Sequence, residues 1–283
     1  MSLTVGLVAH RERQRAHELA RAAAAWLRER GLVVRVPAAD ARRIGMPELA
    51  CAPDEFGAVD VAVSIGGDGT MLHTVDLVEG TGAAVVGVNA GQLGYLTEVE
   101  PDDLVSALER LVAEEYEIVE RMVLAVTVES HGDAGGKWST LNEMVIEKAS
   151  PGQTVRIEVA INGAPFTTYV ADGLIVATPT GSTAYSFSAG GPIVSSRHEC
   201  LVMTPVAAHL LFNRALVFAA HEELRFEVVG RPAVVSADGR SVGTIVPGDH
   251  VTCTAGPTPA RIVTFGERDF HQILKAKFGL TDR

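Results

Sequence analysis

The chain has 283 residues, 47% of them hydrophobic, with 24 Lys and Arg against 35 Asp and Glu and a formal net charge of −11. That length and apolar content can fill one large core or two ordinary ones, and an acidic chain with no Lys/Arg cluster argues against nucleic acid or an anionic membrane as partner. Three distant cysteines, Cys51, Cys200 and Cys253, form no Cys-x-x-Cys pair; with no transmembrane-length apolar run and no signal peptide, they fit a reducing compartment, and the expected location is the cytoplasm.

The first 115 or so residues interleave strand and helix patterns. Thr4–Ala9 reads as a strand. Glu12 to Arg30 reads as a helix with Leu19, Ala23, Trp26 and Leu27 on one face, ended by Gly31. Strands follow at Leu32–Val36, Val59–Ile65 and Ala84–Val88, with helices over Met71–Val78 and Asp102–Glu115, the latter opened by Pro101. Near-continuous apolar strands separated by helices predict a parallel, Rossmann-like α/β sheet covered on both faces. Such sheets bind ligands beyond the carboxyl ends of their strands.

From about Met122 the period becomes two. Val123–Val128, Val155–Ile161, Leu224–Val229 and Val251–Thr254 read as short strands, and Asn162-Gly163 and Asp238-Gly239 are tight-hairpin dipeptides. The expected organisation is an α/β domain over 1–119, an all-β layered antiparallel domain over 120–265, and a C-terminal helix over 266–283 returning to the first domain.

The most informative segment is Ser64-Ile65-Gly66-Gly67-Asp68-Gly69-Thr70, where an apolar strand turns into a helix. Glycines there permit positive φ and close approach of backbone N–H groups to a phosphate, aided by the helix dipole. A carboxylate adds nothing to phosphate affinity, so Asp68 is read as a proton acceptor or metal partner. No G-x-x-x-x-G-K-[ST] occurs, so a nucleotide donor would be held by Gly66, Gly67 and Thr70 with Mg²⁺. The histidines show no metal-ligand spacing, and no protein-held metal site is expected.

Three more segments complete the pattern: Gly87-Val88-Asn89-Ala90-Gly91-Gln92-Leu93-Gly94-Tyr95-Leu96, Leu141-Asn142-Glu143, and Asp172-Gly173 running on to Thr178-Pro179-Thr180-Gly181-Ser182-Thr183-Ala184-Tyr185. In this order, with the glycine turn, they closely resemble the NAD kinase family over nearly the whole chain. The turn alone also occurs in diacylglycerol, sphingosine and 6-phosphofructokinases; the Thr-Pro-Thr-Gly-Ser-Thr-Ala-Tyr segment separates them. The resemblance implies phosphoryl transfer from ATP or polyphosphate to the 2′-hydroxyl of the adenosine ribose of NAD, with the dinucleotide held between an α/β and an all-β domain. It further implies that Asp68 is the catalytic proton acceptor and that Gly69, His73, Tyr95, Asn142, Glu143, Asp172 and the stretch Thr183, Ala184, Tyr185, Ser186, Phe187 and Ser188 bind substrate. A homo-oligomer, a tetramer through the β domain, is implied as well.

The residue types suit this chemistry. Glu143 offers two acceptor oxygens to vicinal ribose hydroxyls, Thr178, Thr180, Ser182 and Thr183 supply hydroxyls, and Tyr185 supplies an aromatic face with a polar tip. The chain departs from the family pattern at Val170, where many members have a basic residue, and at Arg240, where many have an amide. Two other readings remain open from sequence: a lipid kinase sharing the glycine turn, and a non-catalytic dinucleotide sensor.

Overall fold

The structure, a computed structural model, describes residues 3–91, 94–132, 134–209, 212–266 and 270–280. It divides into two compact units, Met1–Glu120 with Ala260–Arg283, and Arg121–Pro259. In chain order the elements are β1 Thr4–Ala9, α1 Gln14–Glu29, β2 Val33–Pro37, α2 Ala38–Arg43, β3 Ala50–Cys51, α3 Pro53–Gly57, β4 Val61–Gly66, α4 Asp68–Leu77, β5 Ala84–Asn89, α5 Leu104–Val112 and β6 Glu117–Arg121. There follow β7 Leu124–Glu129, β8 Gly136–Thr140, β9 Glu143–Lys148, β10 Val155–Ile161, β11 Ala164–Ala171, β12 Gly173–Ala177, α6 Tyr185–Ser188, β13 Cys200–Val206, β14 Leu216–Ala219, β15 Leu224–Val229, β16 Ala233–Ala237, β17 Arg240–Ile245, β18 His250–Ala255, β19 Ala260–Thr264 and α7 Phe270–Phe278.

The first unit is an α/β layer structure. Its sheet runs β3-β2-β1-β4-β5-β19-β6, with β1, β2, β4, β5 and β19 paired in parallel. β4 and β5 are buried at every residue because helices cover both faces, which is why their sequences show no alternation. Helix α1 lays Ala16, Leu19, Ala20, Ala23, Ala24 and Leu27 on the sheet and ends at Gly31, φ +74°, whose N–H bonds the Arg28 carbonyl. Chain order reverses beside β1, so the segments leaving β1 and β4 lie next to each other at the carboxyl edge of the sheet. This is where open α/β sheets bind ligands.

Ala260–Thr264, assigned from sequence to the β half, instead forms β19 against β5, so the chain returns to the first unit before 265. Its residues are largely buried and continuously apolar at Ile262 and Val263, a parallel-strand signature rather than a sandwich one. The short α2 and α3 have no sequence signature, because five or six residues are too few to display a 3.6 period.

The second unit is two antiparallel six-stranded sheets, β11-β10-β15-β18-β7-β8 and β14-β13-β12-β9-β16-β17. Leu124, Val126, Ile157, Tyr169 and Phe226 from the first pack with Met144, Ile146, Leu174, Val176 and Met203 from the second in one core. The second sheet is covered on its other face as well, where Val145, Ile175, Ala177, Cys200 and Val202 meet Ala189 and Val194. Hence β12 and β13 are buried almost throughout, while β10 alternates. Both expected hairpins form with two residues at positive φ, Asn162 and Gly163 at +50° and +77°, and Asp238 and Gly239 at +47° and +73°.

Candidate active site

In the first unit, β4 ends at Gly66 and α4 begins one residue later, with Gly67 at its N-cap and no side chain capping it. The first-turn N–H groups and the helix dipole therefore face an anion-binding position. Sequence reasoning attributed these glycines partly to positive φ; none of the three adopts it, and Gly67 has φ −117°. What they share is the missing Cβ. At Gly66 a Cβ would come within 2.2 Å of the Thr70 hydroxyl, whereas at Gly69 it would meet nothing within 4 Å, leaving the turn's outer surface open. Thr70 itself is buried, its hydroxyl against Gly66, and His73 lies half-buried one turn beyond Gly69.

Asp68 is not a loose side chain. Its Oδ2 accepts the Tyr95 N–H at 2.9 Å and its Oδ1 the Leu96 N–H at 2.9 Å, so the carboxylate clamps the loop that follows β5. Gly94 makes this approach possible: a Cβ there would lie 2.2 Å from Asp68 Oδ1. Asn89 braces the loop from the other side, its Oδ1 accepting the Gly91 N–H at 3.0 Å while its Nδ2 donates to the Glu100 carboxylate. Tyr95 is half-buried with the Lys277 ammonium 4.8 Å from its ring centroid; burial, then the Asp68 charge, raise its phenol pKa. Gln92 and Leu93 of the same motif lie outside the described residues.

The second unit builds its own cluster around Asp238. The turn places this carboxylate to accept backbone N–H groups from Leu141 at 2.8 Å, Asn142 at 2.8 Å and Glu143 at 3.1 Å. The far side of the Asn142 backbone is packed by Gly181, whose Cβ, had it one, would lie 2.0 Å from the Asn142 carbonyl oxygen. Thr178 donates its hydroxyl to the Leu141 carbonyl and its N–H to that of Asn142. Asn142 and Glu143 are thus fixed between a hairpin and the Thr-Pro-Thr-Gly loop. Sequence reading saw Asp238-Gly239 only as a turn; its acceptor role has no local signature, because its donors lie about a hundred residues earlier.

The hydroxyls of the Thr178–Ser188 stretch divide in two. Thr178, Ser182 and Ser186 are buried and bonded internally, Ser182 between the Pro179 carbonyl and the Val194 N–H, and Ser186 to the Thr204 hydroxyl at 2.8 Å. The expectation that Thr178 and Ser182 offer hydroxyls to a ligand is corrected: they hold the loop's shape, and Ser186 does the same. Thr183 and Ala184 are half-buried, and Tyr185, Phe187 and Ser188 are exposed. Asp172 ion-pairs with Lys148 at 2.8 Å, a partner the sequence did not suggest.

Charge in this cluster is unevenly held. Glu143 is 8% exposed, and among the described residues its Oε2 has no hydrogen-bond partner. Burial and the Asp238 carboxylate push its pKa up to about 7, against the Tyr185 N–H, which pulls it down. Burial raises Asp238 as well, opposed by its three N–H donors and Arg240. The Tyr185 phenol is raised by burial and by Glu147, Asp172 and Glu143.

Glu143 binds a proton on folding between pH 4.5 and about 7, so its contribution to stability is complete below 4.5 and is lost as pH rises through 7. Glu143→Gln, a neutral mimic, should flatten the stability profile between pH 5 and 8 and be relatively more stable at pH 8 by on the order of 1–3 kcal/mol. Thermal melts across that range check this, and an unchanged slope would exclude Glu143 as the titrating group. Asp238→Ala, which strands three backbone donors, should destabilise the protein by about 2–4 kcal/mol in urea titration. A loss under 1 kcal/mol would mean water replaces the carboxylate.

Comparison with known proteins places this geometry. Residues 5–116 match the ATP-NAD kinase N-terminal domain and residues 141–265 the ATP-NAD kinase C-terminal domain. The chain is 41% identical over 279 residues to the NAD kinase of Heliobacterium modesticaldum, covering 97% of this chain and 98% of that one. It is 36% identical to the NAD kinase of Syntrophotalea carbinolica, covering 99% of each. In fold it is similar to yeast NADH kinase crystallised with NADH, with a TM-score of 0.91 at 22% identity over 100% of this chain and 89% of the other. It is also similar to an NAD kinase from Archaeoglobus fulgidus in complex with ATP, with a TM-score of 0.74 at 24% identity over 99% and 98%. Since the matches include the clamped glycine turn of one unit and the Asn142–Glu143 cluster of the other, the chain belongs to the NAD kinase family.

Proposed function

We propose that this protein transfers the γ-phosphoryl group of ATP to the 2′-hydroxyl of the adenosine ribose of NAD, forming NADP and ADP, in the cytoplasm. The observation that carries this reading is Asp68, a carboxylate fixed at the uncapped start of α4. Its two oxygens offer about four acceptor positions, and the Tyr95 and Leu96 N–H groups occupy two. One remaining lone pair orients the 2′-hydroxyl and takes its proton as the new P–O bond forms and the bond to the ADP leaving group breaks. Donation from two N–H groups fixes the carboxylate's orientation at the start of α4. That suits a loose phosphoryl-transfer transition state, in which alignment matters more than proton abstraction. Asn142 and Glu143, with exposed Tyr185, hold the dinucleotide's ribose and base. The family membership, over 97–99% of the chain in the relatives above, leaves the lipid-kinase and sensor readings without support.

Among the described residues no three His, Cys, Asp or Glu side chains converge as a metal cage. A divalent cation would be carried on the donor's phosphates, which is how Mg²⁺ is commonly presented in kinases. When bound, it neutralises charge on the transferring oxygens.

Asp68→Asn should lower kcat by about 10²–10⁴, or roughly 3–5.5 kcal/mol, with little change in NAD affinity. The structure adds a second effect: the amide nitrogen would face one of the two backbone N–H donors, so hydrogen exchange at Tyr95 or Leu96 should quicken. Retention of more than a tenth of wild-type kcat would reduce Asp68 to a loop clamp. The same assay with ATP or polyphosphate, and with NAD or NADH, assigns donor and acceptor.

We also propose a homotetramer built through the second unit. Phe166 and Phe212, each nearly half exposed, meet edge to face at 6.5 Å, and Val217 is 56% exposed on the edge strand β14. Of the four edge strands of this unit, β11 and β14 carry no charge to deter pairing. Light scattering at micromolar concentration should give a tetramer that Phe166→Asp dissociates; a monomeric wild type would defeat the proposal.

A further inference from the structure

Arg13 enters no role assigned above, yet it is built into the glycine turn. It stands at the N-cap of α1, in the segment that leaves β1 beside β4. Its backbone is fixed from both ends. The Arg13 and Glu12 N–H groups both donate to His10 Nδ1 at 3.2 Å, and the Arg13 carbonyl accepts the Ala16 and His17 N–H groups at 3.0 and 3.3 Å. Burial, then the Arg13 charge, lower the His10 pKa, which favours the neutral ring whose Nδ1 accepts both.

The side chain reaches across to the loop after β5. Its Nη1 lies 3.5 Å from the Ala90 carbonyl oxygen, and the guanidinium occupies the space a side chain at position 91 would take. A Cβ on Gly91 would fall 1.8 Å from Nη1, 2.8 Å from Cζ and 3.3 Å from Nη2, and one on Gly67 would fall 3.9 Å from Nη1. The guanidinium thus lies on Gly91 and beside the N-cap of α4. Among the described residues its guanidinium makes one weak hydrogen bond, and the residue is exposed.

The electrostatics of the turn call for such a group. A nucleotide phosphate at the start of α4 would meet the Asp68 carboxylate in a chain of net charge −11, and the helix end supplies only about half an elementary charge in compensation. The sequence has no Walker lysine to supply the rest. A planar guanidinium offers paired N–H donors that match phosphate oxygens.

We propose that Arg13 is a positioning residue that receives a nucleotide phosphate at the glycine turn, in a slot that Gly91 keeps open. The inference rests on the phosphotransferase reading. The phosphate belongs either to the donor triphosphate or to the pyrophosphate of the acceptor, and separate saturation curves distinguish them. In NADP-formation assays on the full-length protein, Arg13→Met should raise KM for one of ATP or NAD by about 10–100-fold, the loss expected for a charge-assisted hydrogen bond, and leave the other within twofold. Whichever KM moves identifies the phosphate's source. Arg13→Lys should recover part of the loss as a point charge without the fork, and Gly91→Ala, which displaces the guanidinium with its charge intact, should raise the same KM. Circular dichroism and direct ATP and NAD titrations accompany the kinetics; should Arg13→Met fail to fold, the Lys and Gly91→Ala variants decide by the same criterion. Both KM values unchanged, or a fall in kcat alone, would overturn the inference. Failure of the wild type to form NADP would sink the kinase reading instead, a separate outcome.

Discussion

A carboxylate accepting the backbone N–H groups of a distant segment is the interaction on which both units depend. Asp68 does this for Tyr95 and Leu96, and Asp238 for Leu141, Asn142 and Glu143. Loop backbone carries donors that no strand or helix satisfies, and leaving them unpaired when buried is costly. A charged acceptor makes stronger bonds than a neutral one and holds two or three donors at once. Each clamp also gives its own carboxylate a defined orientation, so loop ordering and carboxylate placement arise from the same atoms.

The glycines around these clamps serve close approach more than unusual dihedrals. Gly66 makes room for Thr70, Gly94 for Asp68, Gly91 for the Arg13 guanidinium, and Gly181 for the Asn142 backbone. In each case a methyl group would overlap an atom that the site positions. By contrast, the glycines with positive φ, such as Gly31, Gly163 and Gly239, end helices and turn hairpins, and a Cβ at these three meets nothing within 4 Å. One residue type therefore serves two separate physical purposes in this chain.

Polar groups in the second unit show how unevenly a motif's residues are employed. Thr178, Ser182 and Ser186 hold the loop, while Tyr185, Phe187 and Ser188 present a surface. Glu143 sits between these classes, buried yet with an unpartnered oxygen, and its protonation near neutral pH follows from burial beside Asp238.

The sequence by itself determined the alternation of strands and helices in the first unit, the period-two strands and I′ hairpins of the second, and the motif order that points to a nucleotide phosphotransferase. These signals are local: hydrophobic period, turn dipeptides and glycine spacing act within a few residues. The tertiary structure alone decided that Ala260–Thr264 rejoins the first sheet beside β5, that Asp68 and Asp238 clamp distant loop backbone, that Ser186 faces inward, and that Arg13 lies on Gly91. Each of those outcomes is a contact between residues from 18 to about 180 positions apart. Strand order and close packing set such contacts, and no local pattern in the chain encodes which partner a carboxylate or a guanidinium will meet.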